Sequence, residues 1–96
     1  MTITEGRPRL LYFFSPQDGL ARRVDGYLAQ VLQRRHNHET FQIVRIDVSE
    51  RPELVDQFKL KAGPAVLVVD QRRVAARLDS PRSVKELEEL LRPWLY

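Results

Sequence analysis

Few side chains in this sequence are of the types that carry out covalent or metal chemistry. The 96 residues include no cysteine, which excludes disulfides, thiolate nucleophiles and sulfur-ligated metals. The two histidines, His36 and His38, are two positions apart and do not share a helical face, so no metal site is predicted. Ser15 has no histidine or lysine partner evident in the sequence that would activate it. The four glycines are isolated, so no phosphate-binding loop and no cofactor is predicted.

The composition is that of an ordinary globular domain, with 43% hydrophobic and 30% charged residues. This length accommodates one hydrophobic core. The net charge of +3 comes from scattered arginine clusters, such as Arg22-Arg23 and Arg34-Arg35, with little aromatic interleaving. Nucleic acid is therefore not a predicted partner. No apolar run reaches the roughly 20 residues that span a bilayer, and no signal-peptide pattern is present. We therefore expect a cytoplasmic protein that does not interact with membranes.

Hydrophobic spacing predicts four strands. Continuous apolar runs at 10–14 and 65–69 predict strands that are buried on both faces. A third strand is predicted at 41–48. Alternation over residues 73–78 predicts a fourth strand that is exposed on one face.

Apolar residues at helical spacing predict three helices. We expect Asp18, Ser49 and Ser83 to be their N-caps, because the side-chain oxygens of these residues can accept free N–H groups of the first turn. Pro52 falls in the first turn of the second helix, where a missing N–H costs little.

The predicted order of elements is βαβαββα, an α/β fold. A right-handed crossover makes the first two strands parallel, and the last two form a hairpin. The expected sheet is mixed, with strand order 2-1-3-4 and helices on both faces. Residues 1–8 are predicted to be a flexible leader, and residues 9–96 a single domain.

Three local motifs at this spacing resemble the thioredoxin-like family. They are the strand ending Ile46-Asp47-Val48 before Pro52-Glu53-Leu54, the segment Phe58–Pro64 before an apolar strand, and the last helix Leu87-Glu88-Glu89-Leu90-Leu91. The resemblance covers about residues 9–95. It implies a thioredoxin-like fold without the extra N-terminal strand and helix that many thioredoxins carry.

The same resemblance places Asp18-Gly19-Leu20-Ala21 at the position of the family's Cys-Gly-Pro-Cys motif. Asp18 then replaces the nucleophilic cysteine, and Ala21 replaces the resolving cysteine. Tyr12 stands where the family often buries an aspartate. The resemblance therefore implies a thioredoxin-like domain that has lost thiol–disulfide exchange.

Two positions allow both a functional and a structural interpretation. Asp18 either mimics the thiolate charge at a helix N-terminus or simply caps the helix. Pro64 resembles the family's cis-proline, which implies a cis bond after Gly63 and an exposed main chain that pairs with an extended peptide. Alternatively, this bend only starts the third strand correctly.

The leading functional hypothesis is a non-catalytic protein-interaction module. Its groove would be formed by Asp18, Gly19, Leu20, Gly63 and Pro64, with Leu20 as an apolar anchor, and it would hold a segment of a protein partner whose identity the sequence does not give.

Two alternatives remain open. The domain could be a structural or regulatory homo-oligomer subunit, for example a homodimer through the edge strand at 73–78. It could also be a transferase or hydrolase that uses Ser15, Asp18 or Tyr12 in the same groove.

Overall fold

The computed structural model describes residues 7–33 and 40–95, and the predicted element order is confirmed. A short 3-10 helix, Arg92–Trp94, follows the last α-helix. His36 and His38 lie outside the described residues. The elements are β1 (Arg9–Phe14), α1 (Gly19–Gln33), β2 (Gln42–Asp47), α2 (Pro52–Phe58), β3 (Ala65–Asp70), β4 (Arg73–Asp79) and α3 (Val84–Leu91).

The four strands form one mixed sheet in the order β2-β1-β3-β4, as predicted. The β1–β2 pair is parallel, and the β1–β3 and β3–β4 pairs are antiparallel. The central strands are the two continuous apolar runs, because a strand with neighbours on both edges and helices on both faces has no exposed side.

Alternate residues of the central strands enter two separate cores, which places helices on both faces of the sheet. Leu10 and Tyr12 of β1 face α1 and α3, whereas Phe13 faces α2. The larger core also takes Val66 and Val68 of β3. The helical members of that larger core are Val24, Leu28, Val31, Leu32, Leu87 and Leu91.

The helix starts agree with the prediction at two of three positions. Asp18 and Ser83 each accept a backbone N–H with a side-chain oxygen, from Leu20 at 2.9 Å and from Glu86 at 3.1 Å. The predicted N-cap Ser49 is wrong. Its N–H and hydroxyl both donate to Asp47 Oδ1, which forms a turn after β2 and leaves Arg51 at the start of α2 without a side-chain cap.

The last two residues of the predicted leader are attached to β2. The Arg7 guanidinium donates to the Phe41 carbonyl oxygen at 2.9 Å, and Pro8 is buried. The Pro8 carbonyl accepts the Gln42 N–H at 2.9 Å. Residues 1–6 lie outside the described residues.

None of the helices in the described ranges has the length and apolar character needed to cross a bilayer.

Candidate functional site

Asp18 caps the start of α1 and lies opposite the loop between α2 and β3. Its Oδ1 accepts the Leu20 N–H at 2.9 Å, and its carbonyl accepts the Ala21 N–H at 3.1 Å, which confirms the capping role. Its Oδ2 lies 4.0 Å from the position that a Cβ would take on Gly63. One carboxylate oxygen therefore holds the helix, and the other faces the loop across a gap.

The chain turns into β3 through Gly63, whose φ of +98° belongs to the region that favours glycine. The cis bond that the resemblance implies before Pro64 is absent, since no peptide bond in the described part of the chain is cis. Pro64 is buried, and its carbonyl accepts the Ser80 N–H at 2.7 Å. Gly63 therefore provides the turn, and Pro64 joins the loop to the end of β4.

A groove of about 500 Å³ opens between the N-terminus of α1 and this loop. It combines an apolar floor with polar residues, one of them the acid Asp18 and one the base Lys61. The lining residues are Ser15, Gln17, Asp18, Val48, Val55, Leu60, Lys61, Ala62 and Gly63.

Three consecutive residues on the rim of this groove, Lys61, Ala62 and Gly63, are exposed. Within the described ranges, their backbone N–H and C=O groups make no hydrogen bonds to the protein. Main-chain groups in this state are satisfied by water or by an added strand. The main chain of this segment is therefore not used by the fold itself.

Arg77 of β4 holds the end of α2 that leads into this rim. Its guanidinium donates to the carbonyl oxygens of Phe58 at 2.7 Å and Lys59 at 3.0 Å. Its Nε donates to Asp79 at 3.1 Å, which fixes the direction of the side chain. Carbonyls at a helix C-terminus lack intrahelical partners, so the arginine completes this helix end. Lys59, at a φ of 53°, then directs the chain into the loop.

The hydroxyl groups of Tyr12 and Ser15, the two considered for chemistry, already donate hydrogen bonds within the protein. The Tyr12 hydroxyl is buried and donates to the Ala21 carbonyl at 2.6 Å. Burial, helped by the Asp25 carboxylate, raises the pKa of Tyr12 to about 12. Ser15 lines the groove, but its hydroxyl donates to the Gln17 amide oxygen at 3.0 Å. Neither hydroxyl has a basic partner in these contacts.

The structure brings only some of the predicted site residues together. Asp18 and Gly63 both line the groove. Leu20 packs against the larger core, Pro64 is buried, and Gly19 is exposed outside the lining. Leu20 therefore does not supply the apolar anchor that the sequence analysis expected.

The apolar lining comes instead from Val48, Val55 and Leu60. Val55 is one of three large apolar residues of α2, with Leu54 and Phe58. Leu54 and Phe58 pack against the core under α2, whereas Val55 lines the groove. The adjacent apolar residues Leu54 and Val55 were the sequence signal for this difference. Two neighbouring residues of a helix point in different directions, so they cannot both face the centre of one helix contact.

Across the described ranges, no group of three or more histidine, aspartate or glutamate side chains is placed to hold a metal ion.

Solved structures of several thioredoxins superimpose on this chain. Thioredoxin-2, a component of the malaria parasite protein secretion machinery, aligns with a TM-score of 0.79 at 17% identity, over 91% of this chain and 82% of that chain. Desulfothioredoxin from Desulfovibrio vulgaris Hildenborough aligns with a TM-score of 0.77 at 17% identity, over 91% and 81%. Mitochondrial thioredoxin 3 from Saccharomyces cerevisiae aligns with a TM-score of 0.76 at 15% identity, over 92% of this chain and 79% of that chain. At these identities the similarity establishes the thioredoxin fold. No protein-family model matches the chain, and no curated protein matches its sequence.

Proposed function

We propose that this domain binds an extended segment of a protein partner in its groove, without thiol–disulfide exchange. The observation that carries the proposal is the unpaired main chain of Lys61, Ala62 and Gly63 on the groove rim. A peptide in β conformation would pair with these groups as an added strand, and alternate side chains would enter the groove.

The lining of the groove supports a peptide rather than a small charged metabolite. Val48, Val55 and Leu60 offer an apolar floor for one side chain of the peptide. Asp18 and Lys61 carry opposite charges at the groove, so the groove has little net charge. Each of the two side chains can still select a polar group of the peptide. An apolar floor with a few polar groups is typical of binding pockets that fix both affinity and orientation.

Because the chain has no cysteine, the proposed binding function excludes thiol–disulfide exchange. Dithiothreitol should therefore reduce insulin disulfides at the same rate with and without the protein. A rate above that of the reductant alone would contradict the proposal, because no side chain of this protein can form a mixed disulfide.

Two valine-to-arginine variants test the groove. Val55→Arg fills the groove with a charged side chain, whereas Val74→Arg makes the same change on β4, where Val74 is 46% exposed. Peptides selected from a random displayed library on the wild type should bind Val74→Arg normally and lose most of their affinity for Val55→Arg.

The site of binding can be read directly from backbone amide resonances. Selected peptides should shift the signals of residues 61–63 and protect those amides from exchange. If the peptides bind Val55→Arg as well as the wild type, or leave residues 61–63 unperturbed, the groove is not the binding site.

A further inference from the structure

Acceptor oxygens line the end of the groove that lies next to α1. The second carboxylate oxygen of Asp18, Oδ2, faces the loop at Gly63, and no donor within residues 7–33 and 40–95 bonds to it. The Ser15 hydroxyl gives its one proton to the Gln17 amide oxygen at 3.0 Å, so the serine oxygen keeps free lone pairs. This end of the groove therefore offers acceptors that the fold itself does not use.

Lys61 leaves the charge of Asp18 available to a ligand. Lys61 is exposed on the rim, and no ion pair joins it to Asp18 in the described part of the chain. Asp18 is half-buried, and the bond from the Leu20 N–H to Oδ1 holds its carboxylate in place. A ligand that bonds to Oδ2 therefore meets a side chain that is already ordered, whereas a ligand of Lys61 must restrict a long, exposed side chain.

We propose that the peptide bound in this groove carries a lysine or arginine side chain whose charged group bonds to Asp18 Oδ2. This inference rests on the peptide-binding function proposed above. The methylene groups of the basic side chain would lie on the floor of Val48, Val55 and Leu60, because such stems pack on apolar surface while the charged end stays at polar groups.

The charged end of a basic side chain also matches the other oxygens at this end of the groove. Ammonium and guanidinium groups carry several N–H donors and no acceptor. One donor would bond to Asp18 Oδ2, and the remaining donors face the Ser15 and Gln17 oxygens in the same lining. Hydrogen bonds between two charged groups are stronger than neutral ones, so Asp18 would supply most of the selection.

Other side chains fit the groove less well. An acidic side chain would be repelled by Asp18 and could pair only with Lys61 on the exposed rim, where such pairs contribute little. A wholly apolar side chain would fit the floor, but it would separate the Asp18 carboxylate from water without giving it a partner. A basic side chain meets both requirements of the lining, the apolar floor and the unused acceptors.

A double-mutant cycle between the domain and its peptide tests this inference. Peptides are selected from a random displayed library on the wild type, and those that lose affinity for Val55→Arg are kept as groove ligands. Each groove ligand should contain one lysine or arginine whose replacement by methionine weakens binding. Asp18→Asn keeps an acceptor for the helix cap and removes the charge. It should weaken binding of the basic peptide about tenfold or more, and leave the affinity of the methionine peptide unchanged.

Two further variants control for charge. Glu89 is exposed on α3 and does not line the groove, so Glu89→Gln changes the net charge by the same amount as Asp18→Asn without altering the site. It should leave the affinity for the basic peptide nearly unchanged. Lys61→Met removes a like charge from the rim, so the basic peptide should bind this variant at least as tightly as the wild type.

The possible outcomes separate this inference from the groove itself. Groove ligands that need no basic residue would overturn the inference and leave the groove as the binding site, as would an equal loss of affinity for both peptides in Asp18→Asn. Weaker binding of groove ligands to Lys61→Met would assign the selection to Lys61 and would also overturn it. If no selected peptide depends on Val55, the groove proposal and this inference both fail.

Discussion

Gly63 lies so close to Ser80 that a Cβ atom on Gly63 would be 2.7 Å from the Ser80 hydroxyl oxygen. The same two segments are joined by the bond from the Ser80 N–H to the Pro64 carbonyl. The end of β4 therefore fixes the loop that forms the groove rim. Glycine meets both requirements of this position, a positive φ and the close approach.

Gly63→Ala should lower the free energy of unfolding by about 1–2 kcal/mol, since an L-residue is strained at this φ. In a Ser80→Ala background the cost should fall by about 0.5 kcal/mol, because the close contact is removed and the strain remains. Urea unfolding of the four proteins of this double-mutant cycle measures both quantities. Equal costs in the two backgrounds would mean that the serine hydroxyl simply rotates away.

Asp18 variants separate helix capping from charge. Asp18→Ala should lower the free energy of unfolding by about 1 kcal/mol, because the Leu20 N–H loses its acceptor. Asp18→Asn retains an acceptor and should cost less, since only the favourable charge at the helix N-terminus is lost. Thermal unfolding of both variants at low and high salt measures these two stability costs. An asparagine variant as unstable as the alanine variant would show that charge, not capping, dominates.

Tyr12 should make stability depend on alkaline pH. Its pKa is raised from 10 to about 12 in the folded state, so the neutral phenol stabilises the fold below pH 10. That contribution, about 2–3 kcal/mol, is lost as the pH rises from about 10 to about 12. Tyr12→Phe has no such titration but lacks the bond to the Ala21 carbonyl, which costs about 1 kcal/mol at neutral pH.

The difference between wild type and Tyr12→Phe isolates this group from the other titrating side chains. The wild type should be the more stable protein at pH 7, and the phenylalanine variant should be the more stable one near pH 12. Parallel stability curves for the two proteins across this range would contradict the assigned shift.

Arg77 should control the order of the groove rim. Arg77→Met removes the donors to the Phe58 and Lys59 carbonyls and should cost about 1–2 kcal/mol. Arg77→Lys keeps the charge but cannot bond both carbonyls and Asp79 together, so it should be intermediate. Hydrogen exchange of the Lys59 and Leu60 amides, which bond to the Asp56 and Val55 carbonyls, should accelerate more than that of β1 in both variants. A uniform acceleration would indicate a purely global effect on stability.

The β3–β4 turn is strained by its sequence. Gln71 and Arg72 have φ values of 54° and 69°, in the region that two-residue hairpin turns usually assign to asparagine and glycine. Arg72→Gly should therefore raise the free energy of unfolding by about 0.5–1 kcal/mol, after the extra entropy of the unfolded glycine is subtracted. Arg72→Ala is the control, because it removes the charge and keeps the strain. Equal stabilisation by both variants would assign the effect to charge.

The sequence by itself determined the fold and the absence of thiol chemistry. Strand faces follow from local alternation, as at Tyr12 and Phe13, and the continuous apolar runs could only be central strands. The capping role of Asp18 was also readable, because a cap depends on a few adjacent residues. These features are local, so they are encoded in short stretches of chain.

Only the tertiary structure decided which residues form the groove. Leu20 and Val55 both occupy apolar helix positions, yet Leu20 packs against the core and Val55 lines the groove. The turn at Gly63 likewise depends on contact with Ser80, which is distant in sequence. Which side of a helix is covered, and which φ a loop residue adopts, depends on segments that meet only after folding. A single sequence does not specify those contacts through local spacing.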